Sequence, residues 1–248
     1  HGPVTVVTAV AELFAVQDSV SARAATTVFA LANWVLLRPL PGLADPHALV
    51  SIGFGSREGS RGPINYPDVV AMKSGVPALD DLAAFTGAAL HVARPGRPPE
   101  RVAAEVVTAN YFGLLGPVIA QGRGFDADPD QGRGGATVVL SHRLWQRLFG
   151  GEGGPGETVA INGLPHAVAG IAVRGFHGAS RTGSADVWMP IGQHRVALPV
   201  YTGDVLTDRR NRPFFTMIGR LAPGAQVSEA AAQAEVVRAQ LARAFPED

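Results

Sequence analysis

From Val4 to Leu37 the chain is rich in alanine, valine and leucine and contains neither glycine nor proline. This pattern predicts one long helix, or two helices broken near Asp18–Ser21. Arg38-Pro-Leu-Pro41 stops it, because proline has no amide hydrogen to continue the ladder. Leu49–Phe54 then reads as a short strand and Gly55–Pro63 as a glycine-rich loop of mixed charge. Tyr66-Pro-Asp68 opens a helix, with Pro67 suited to the first turn. Val69, Val70 and Met72, then Leu79, Leu82 and Phe85, supply the apolar faces of that helix and of a second one behind it. Leu90–Val92 reads as a strand, Arg94–Pro99 as a proline-rich turn and Val102–Thr108 as a β-branched strand. Ala109–Leu115 is a short helix stopped by Gly116-Pro117.

The second half alternates in the same short units. Asp126–Gly135 is an exposed loop and Thr137–Leu140 a buried strand. Ser141 can cap a helix through Phe149 that turns Leu144, Trp145 and Leu148 inward, with Gly150–Gly156 ending it. Thr158–Ile161 and Leu164–Ile171 flank Asn162-Gly163, a strong hairpin signal. Asp186–Ile191 is another strand, His194–Pro213 is irregular and charged, and Phe214–Leu221 is a strand. After the turn at Pro223-Gly224, Ser228 is the expected cap of a last helix, with Ala230, Ala234, Val237, Leu241 and Phe245 at helical spacing. Strict strand–helix–strand alternation is missing, so the expected class is α+β.

Composition narrows the function. The 248 residues are 46% hydrophobic and 17% charged, ample for one large domain or two small ones. Formal net charge is zero, which leaves no basic footprint for nucleic acid. Cysteine is absent, so disulfides, thiolate nucleophiles and cysteine metal sites are excluded. The chain begins at His1, which points to a fragment or a processed chain, and no basic region before Val4 suggests a secretory signal peptide. A bilayer span needs ~20 mostly apolar residues. Val4–Leu37 is interrupted by Glu12, Asp18 and Arg23, so no competent span is expected in the chain as given.

The motifs that could carry chemistry fail their context tests. Gly151-Glu-Gly-Gly-Pro-Gly156 matches G-x-G-x-x-G, but it follows a helix and precedes a strand, the reverse of a dinucleotide site. Gly122-Arg-Gly-Phe125 fails in the same way, and Lys73, the only lysine, is not preceded by glycine as a phosphate loop requires. Gly178-Ala-Ser-Arg-Thr-Gly183 misses the serine-hydrolase elbow by one residue and has no helix after it. The histidines, His1, His47, His91, His142, His166, His177 and His194, include no H-x-x-x-H pair. His166 is expected on a strand face and His142 toward solvent. Trp34, Trp145 and Trp188 each sit in an apolar run and read as core. Arg209-Arg-Asn-Arg212 reads as a solvated loop. The expected catalytic, cofactor-binding and metal-binding residues are therefore none, and no cofactor is expected.

One ordered set of segments is more specific than any single motif. Asn65-Tyr-Pro-Asp68, Asn110-Tyr-Phe112, Leu115-Gly116, Gly122-Arg-Gly-Phe125, Leu144-Trp-Gln-Arg-Leu-Phe-Gly-Gly151, Ile161-Asn-Gly163, Asp186-Val-Trp-Met-Pro190 and Arg220-Leu-Ala-Pro-Gly224 follow one another in a fixed order. That order resembles the extracytoplasmic core domain of MacB/FtsX-type ABC transporter permeases, with the acidobacterial kind of orphan permease as its nearest likeness. Phe29–Pro41 looks like the end of the family's first membrane helix. The resemblance implies a two-lobed α+β fold in a bacterial cell membrane protein, with this domain on the periplasmic side. It implies an N-terminal helical segment at 1–41, a vestigial or truncated first membrane helix. A porter-like lobe would comprise 42–120 and 192–248, with a β-rich lobe inserted at 121–191. It also implies a non-catalytic mechanotransmission role. The implied partners are an ABC ATPase acting through the membrane helices, a second copy or paired permease, and a periplasmic adaptor or lipoprotein. Two other readings stand beside it: a binding module for a peptide, lipid or antibiotic, and a hydrolase with a dispersed Ser/His/Asp triad.

Overall fold

Asn65 sets the first helix: its side chain accepts from the Asp68 amide at 2.9 Å, and Pro67 occupies the first turn without losing a bond. The computed structural model describes residues 27–30, 48–53, 64–125, 135–180, 183–209 and 215–246, the first of these ranges in backbone only. The elements are β1 (Thr27–Ala30), β2 (Leu49–Gly53), α1 (Tyr66–Gly75), β3 (Leu79–Ala93), β4 (Glu100–Val107), α2 (Tyr111–Leu115), β5 (Ile119–Gly122), β6 (Thr137–Leu140) and α3 (His142–Phe149). They continue with β7 (Thr158–Ile161), β8 (Leu164–Ala172), β9 (Val187–Pro190), α4 (His194–Ala197), β10 (Thr216–Leu221) and α5 (Val227–Ala244). The class is α+β, as expected.

Three expectations are corrected. The long N-terminal helix lies outside the described residues except at Thr27–Ala30, which form a strand paired antiparallel with β2. Leu79, Leu82 and Phe85 are not on a helix; they open the 15-residue strand β3. Their i, i+3 spacing is misleading because Leu82–Thr86 is buried on both faces and shows no alternation, and sheet neighbours outweigh the local helix preference of Asp-Leu-Ala-Ala. Ser228 does not cap the last helix, which begins at Val227 with Gln226 at the cap and no side-chain cap bond. The loop expected at Gly55–Pro63, Trp34 and residues 126–134 lie outside the described residues.

The chain divides into two compact units. The first takes Asp45–Ala84 and Thr207–Asp248, together with β1. Here β2 lies between β1 and β10, both antiparallel to it, and β10 is bonded to β3. Helices α1 and α5 pack on each other, burying Val69, Met72, Ala230, Ala234 and Val237. Gln233 Oε1 accepts the Ala78 amide at 2.8 Å, tying α5 to the start of β3. Arg209 Nη1 donates to the buried Asp68 at 2.7 Å, and its guanidinium lies 3.6 Å from the Phe245 ring centroid. The end of α5 is thereby joined to the start of α1.

The second unit takes Phe85–Leu206, and 121–191, expected as the β-rich lobe, lies inside it with 85–120 and 192–206. Its strand pairing closes on itself. From Phe85 onward β3 pairs β4, β4 pairs β9, β9 pairs β6, β6 pairs β8, β8 pairs β7, and β7 returns to β3 through Val92 and Ile161. Closure removes free strand edges from the ring. β5 is added on β8. At the β7–β8 turn Asn162 and Gly163 both have positive φ, 49° and 85°, which matches the twist of a tight hairpin. Asn162 also accepts the His91 amide and donates to Val196, so this turn residue fastens its own surroundings. Ser141 caps α3 as expected, accepting from Leu144 at 3.0 Å.

Gly75 supplies a test of the α1–α5 contact. A Cβ there would lie 2.5 Å from Val237 Cγ2. Gly75→Ala would ordinarily favour a helix by up to about 1 kcal/mol, but the expected result here is a loss of about 1–3 kcal/mol from overpacking. Chemical denaturation of Gly75→Ala, Val237→Ala and the double variant should show the double variant less destabilised than the sum of the singles.

Candidate functional site

Strand β4 carries a buried carboxyl group, that of Glu105, which is 1% exposed. Three donors converge on it. Tyr111 on α2 donates its hydroxyl to Oε2 at 2.8 Å, and Trp188, its register partner on β9, donates the indole N–H to the same oxygen at 2.8 Å. The Ser180 amide donates to Oε1 at 2.9 Å. Tyr111 in turn accepts the Ala179 amide at 2.8 Å. The loop after β8 is therefore bound to the centre of the unit through two consecutive amides. Gly178 precedes them with φ +86°, and a Cβ there would stand 2.4 Å from Glu105 Oε2. Both backbone shape and space demand glycine at that position.

Aromatic rings close the surroundings. Phe112 meets Tyr111, Phe125 and Trp188 edge to face at 5.3, 5.5 and 5.9 Å, and Phe176 leans on Trp188 at 5.2 Å. Burial in this setting pushes the Glu105 carboxyl above its ordinary value, against the lowering effect of its hydrogen bonds. Burial, then the Glu105 charge beside it, pushes the Tyr111 hydroxyl well above the usual phenol value.

A second carboxylate closes the loop. Asp186, 6% exposed, accepts at Oδ1 from Ser141 Oγ at 2.7 Å and from Arg143 Nε and Nη2 at 3.0 and 2.8 Å. Its amide donates to Ala103 and its carbonyl accepts the Ser141 amide, both at 2.8 Å. Arg147 continues outward to Glu100 at 2.9 Å. Ser141 is thus committed: its hydroxyl donates to Asp186 and accepts from Leu144, the geometry of a cap and anchor.

The motifs examined for chemistry take backbone roles. Gly178, Ala179 and Ser180 of the near-miss elbow hold Glu105. A Cβ on Gly122 would lie 2.2 Å from the Ala169 carbonyl, so that glycine permits close approach of β5 and β8. Gly151–Gly156 joins α3 to β7, as the sequence order required. Trp145 and Trp188 are core, and His166 is a buried strand residue whose Nδ1 lies 2.8 Å from the Leu164 carbonyl. His142 meets Trp145 edge to face at 5.3 Å between ring centroids and is half-buried, so it does not point freely to solvent. Arg209 is paired with Asp68 and is not simply solvated. Among the described residues no group of three or more His, Cys, Asp or Glu side chains could hold a metal ion. Glu105 and Asp186 are what sequence reasoning missed. The available signal was a lone carboxylate within each apolar run, Ala103–Val107 and Ala185–Met189.

The profile of a family described as a MacB-like periplasmic core domain matches residues 7–237. No curated protein sequence matches the chain. Among solved structures, the extracellular domain of the noncanonic ABC-type transporter YknZ from Gram-positive bacteria is similar with a TM-score of 0.58 at 14% identity, over 77% of this chain and 94% of that one. The periplasmic region of MacB from Actinobacillus actinomycetemcomitans is similar with a TM-score of 0.60 at 16% identity, over 85% of this chain and 89% of that one.

The raised Glu105 pKa has a definite sign in stability. The folded chain holds this proton to higher pH than the unfolded chain, whose carboxyl titrates near 4.5. The stabilisation is therefore complete below that pH and declines as pH rises through the folded value. Glu105→Gln cannot titrate. Chemical denaturation across this range should show the native chain losing stability relative to Glu105→Gln as pH rises; a difference that stays constant, or that moves in the native chain's favour, would contradict the assignment.

Proposed function

Because the chain belongs to the family of MacB-like periplasmic core domains, we propose that it relays conformational change for an ABC-type permease, outside the membrane and without bond chemistry of its own. The match across residues 7–237 carries this reading. Among the described residues no helix is long and apolar enough to cross a membrane. ATP would be hydrolysed by a separate ATPase subunit or domain, and a dimer or paired permease would bring two such domains together.

The internal construction suits that task. A relay must move as a body, and the second unit has a closed strand ring in which the loop after β8 is fastened to the buried Glu105 and, through its own Asp186, to Ser141. In the first unit α5, 18 residues long, would span ~27 Å as a stalk. Arg209 holds its C-terminal end and Gln233 its middle. Contact with an adaptor, a lipoprotein or cargo belongs to the same proposal.

The chain has no cysteine, so one introduced thiol is a unique label within it, once any cysteines of the remaining permease and of the ATPase are replaced. Gln240 is exposed on α5. Spin labels at Gln240→Cys in the complete permease with its ATPase should report a distance between protomers that shifts by several ångström between nucleotide-free and ATP-trapped states. The same distance distribution in both states would contradict the relay.

A further inference from the structure

Within the second unit, α3 and the loop after β8 border a cleft of about 510 Å³. Its lining includes Arg143 and His142 from α3, Arg174 and His177 from the loop, and Ser141 and Phe176. None of its lining side chains, among the described residues, is acidic. Asp186 holds Arg143 through Nε and Nη2, yet the Arg143 side chain stays 53% exposed and Nη1 remains available for a further bond. Arg174 is exposed and makes no ion pair among the described residues.

Both walls are fixed before anything binds. Arg143 is set by Asp186, which is set by Ser141 and the Ala103 carbonyl. The loop is set by Gly178–Ser180 on Glu105 and Tyr111. A cleft formed by such walls loses little freedom on binding. Guanidinium groups are suited to oxyanions because their N–H donors lie in a rigid fork. Two guanidiniums and two imidazoles offer donors from more directions than a planar carboxylate can accept, whereas a tetrahedral oxyanion accepts from all sides.

We propose that this cleft binds a phosphate group, flanked by Arg143 and Arg174, presented either by a soluble phosphate ester or by a phospholipid headgroup. The inference goes beyond the relay reading and does not depend on it.

Isothermal titration with inorganic phosphate, against chloride at matched ionic strength, tests it on the full chain. Co-sedimentation with phosphatidylglycerol vesicles, against phosphatidylcholine vesicles, separates the two sources. The expected result is saturable phosphate binding at one site, weakened roughly tenfold in Arg174→Gln by loss of one charge-assisted contact. The exposed position of Arg174 should leave the unfolding midpoint of the ligand-free variant unchanged. Vesicle binding that needs phosphatidylglycerol and is lost in Arg174→Gln assigns the headgroup; phosphate binding without vesicle binding assigns the soluble ligand. The proposal is overturned by heats equal to those of chloride, by equal affinity in Arg174→Gln, or by tighter binding of succinate than of phosphate.

Discussion

A carboxyl group in an apolar interior is tolerated only when donors surround it. Glu105 meets that condition by drawing on three separate elements: the Tyr111 hydroxyl of α2, the Trp188 indole of β9 and the Ser180 amide of the loop after β8. Removing any one strands a polar group in a buried site. The constraint therefore dictates more than one contact. It requires Trp188 beside Glu105 in the β4–β9 register, α2 close behind β4, and glycine at 178 so that the loop can approach. Asp186 repeats the principle eight residues beyond Gly178, joining the loop's end to the cap of α3 and to β4.

Local signals were legible where a single residue type decides the backbone. Ser141 capping α3, Asn162-Gly163 turning the hairpin, Pro67 opening α1 and Gly116 closing α2 were all readable from sequence, because each acts on its own neighbours. What escaped was decided at a distance. The Leu79–Phe85 segment has helical spacing but lies in a strand, since burial on both faces erased alternation. The closed strand ring could not be read, because β7 meets β3 through two residue pairs some 70 positions apart. Glu105 looked like an ordinary strand residue until its donors, spread from Tyr111 to Trp188, were brought around it.

The reading of function rests on the same physics. The motifs that suggested enzymes are explained by close backbone approach and by amides aimed at a carboxyl group. The family places the chain among periplasmic core domains; under the proposed relay, a force applied through α5 would reach the rest of its unit only if Arg209, Gln233 and the Gly75–Val237 contact did not yield. The second unit gains its stiffness from polar groups in the core, which specify one arrangement where apolar packing alone would allow several.

Hydrogen exchange at the Ala179 and Ser180 amides measures that stiffness directly. Both lie outside any helix or strand, and their amides donate to Tyr111 and Glu105 respectively. The expected result is protection as strong as that of the Val106 amide in β4. Exchange at the rate of exposed Gly183 would contradict a loop locked onto a buried carboxyl group, and with it the account of the second unit as held together through Glu105.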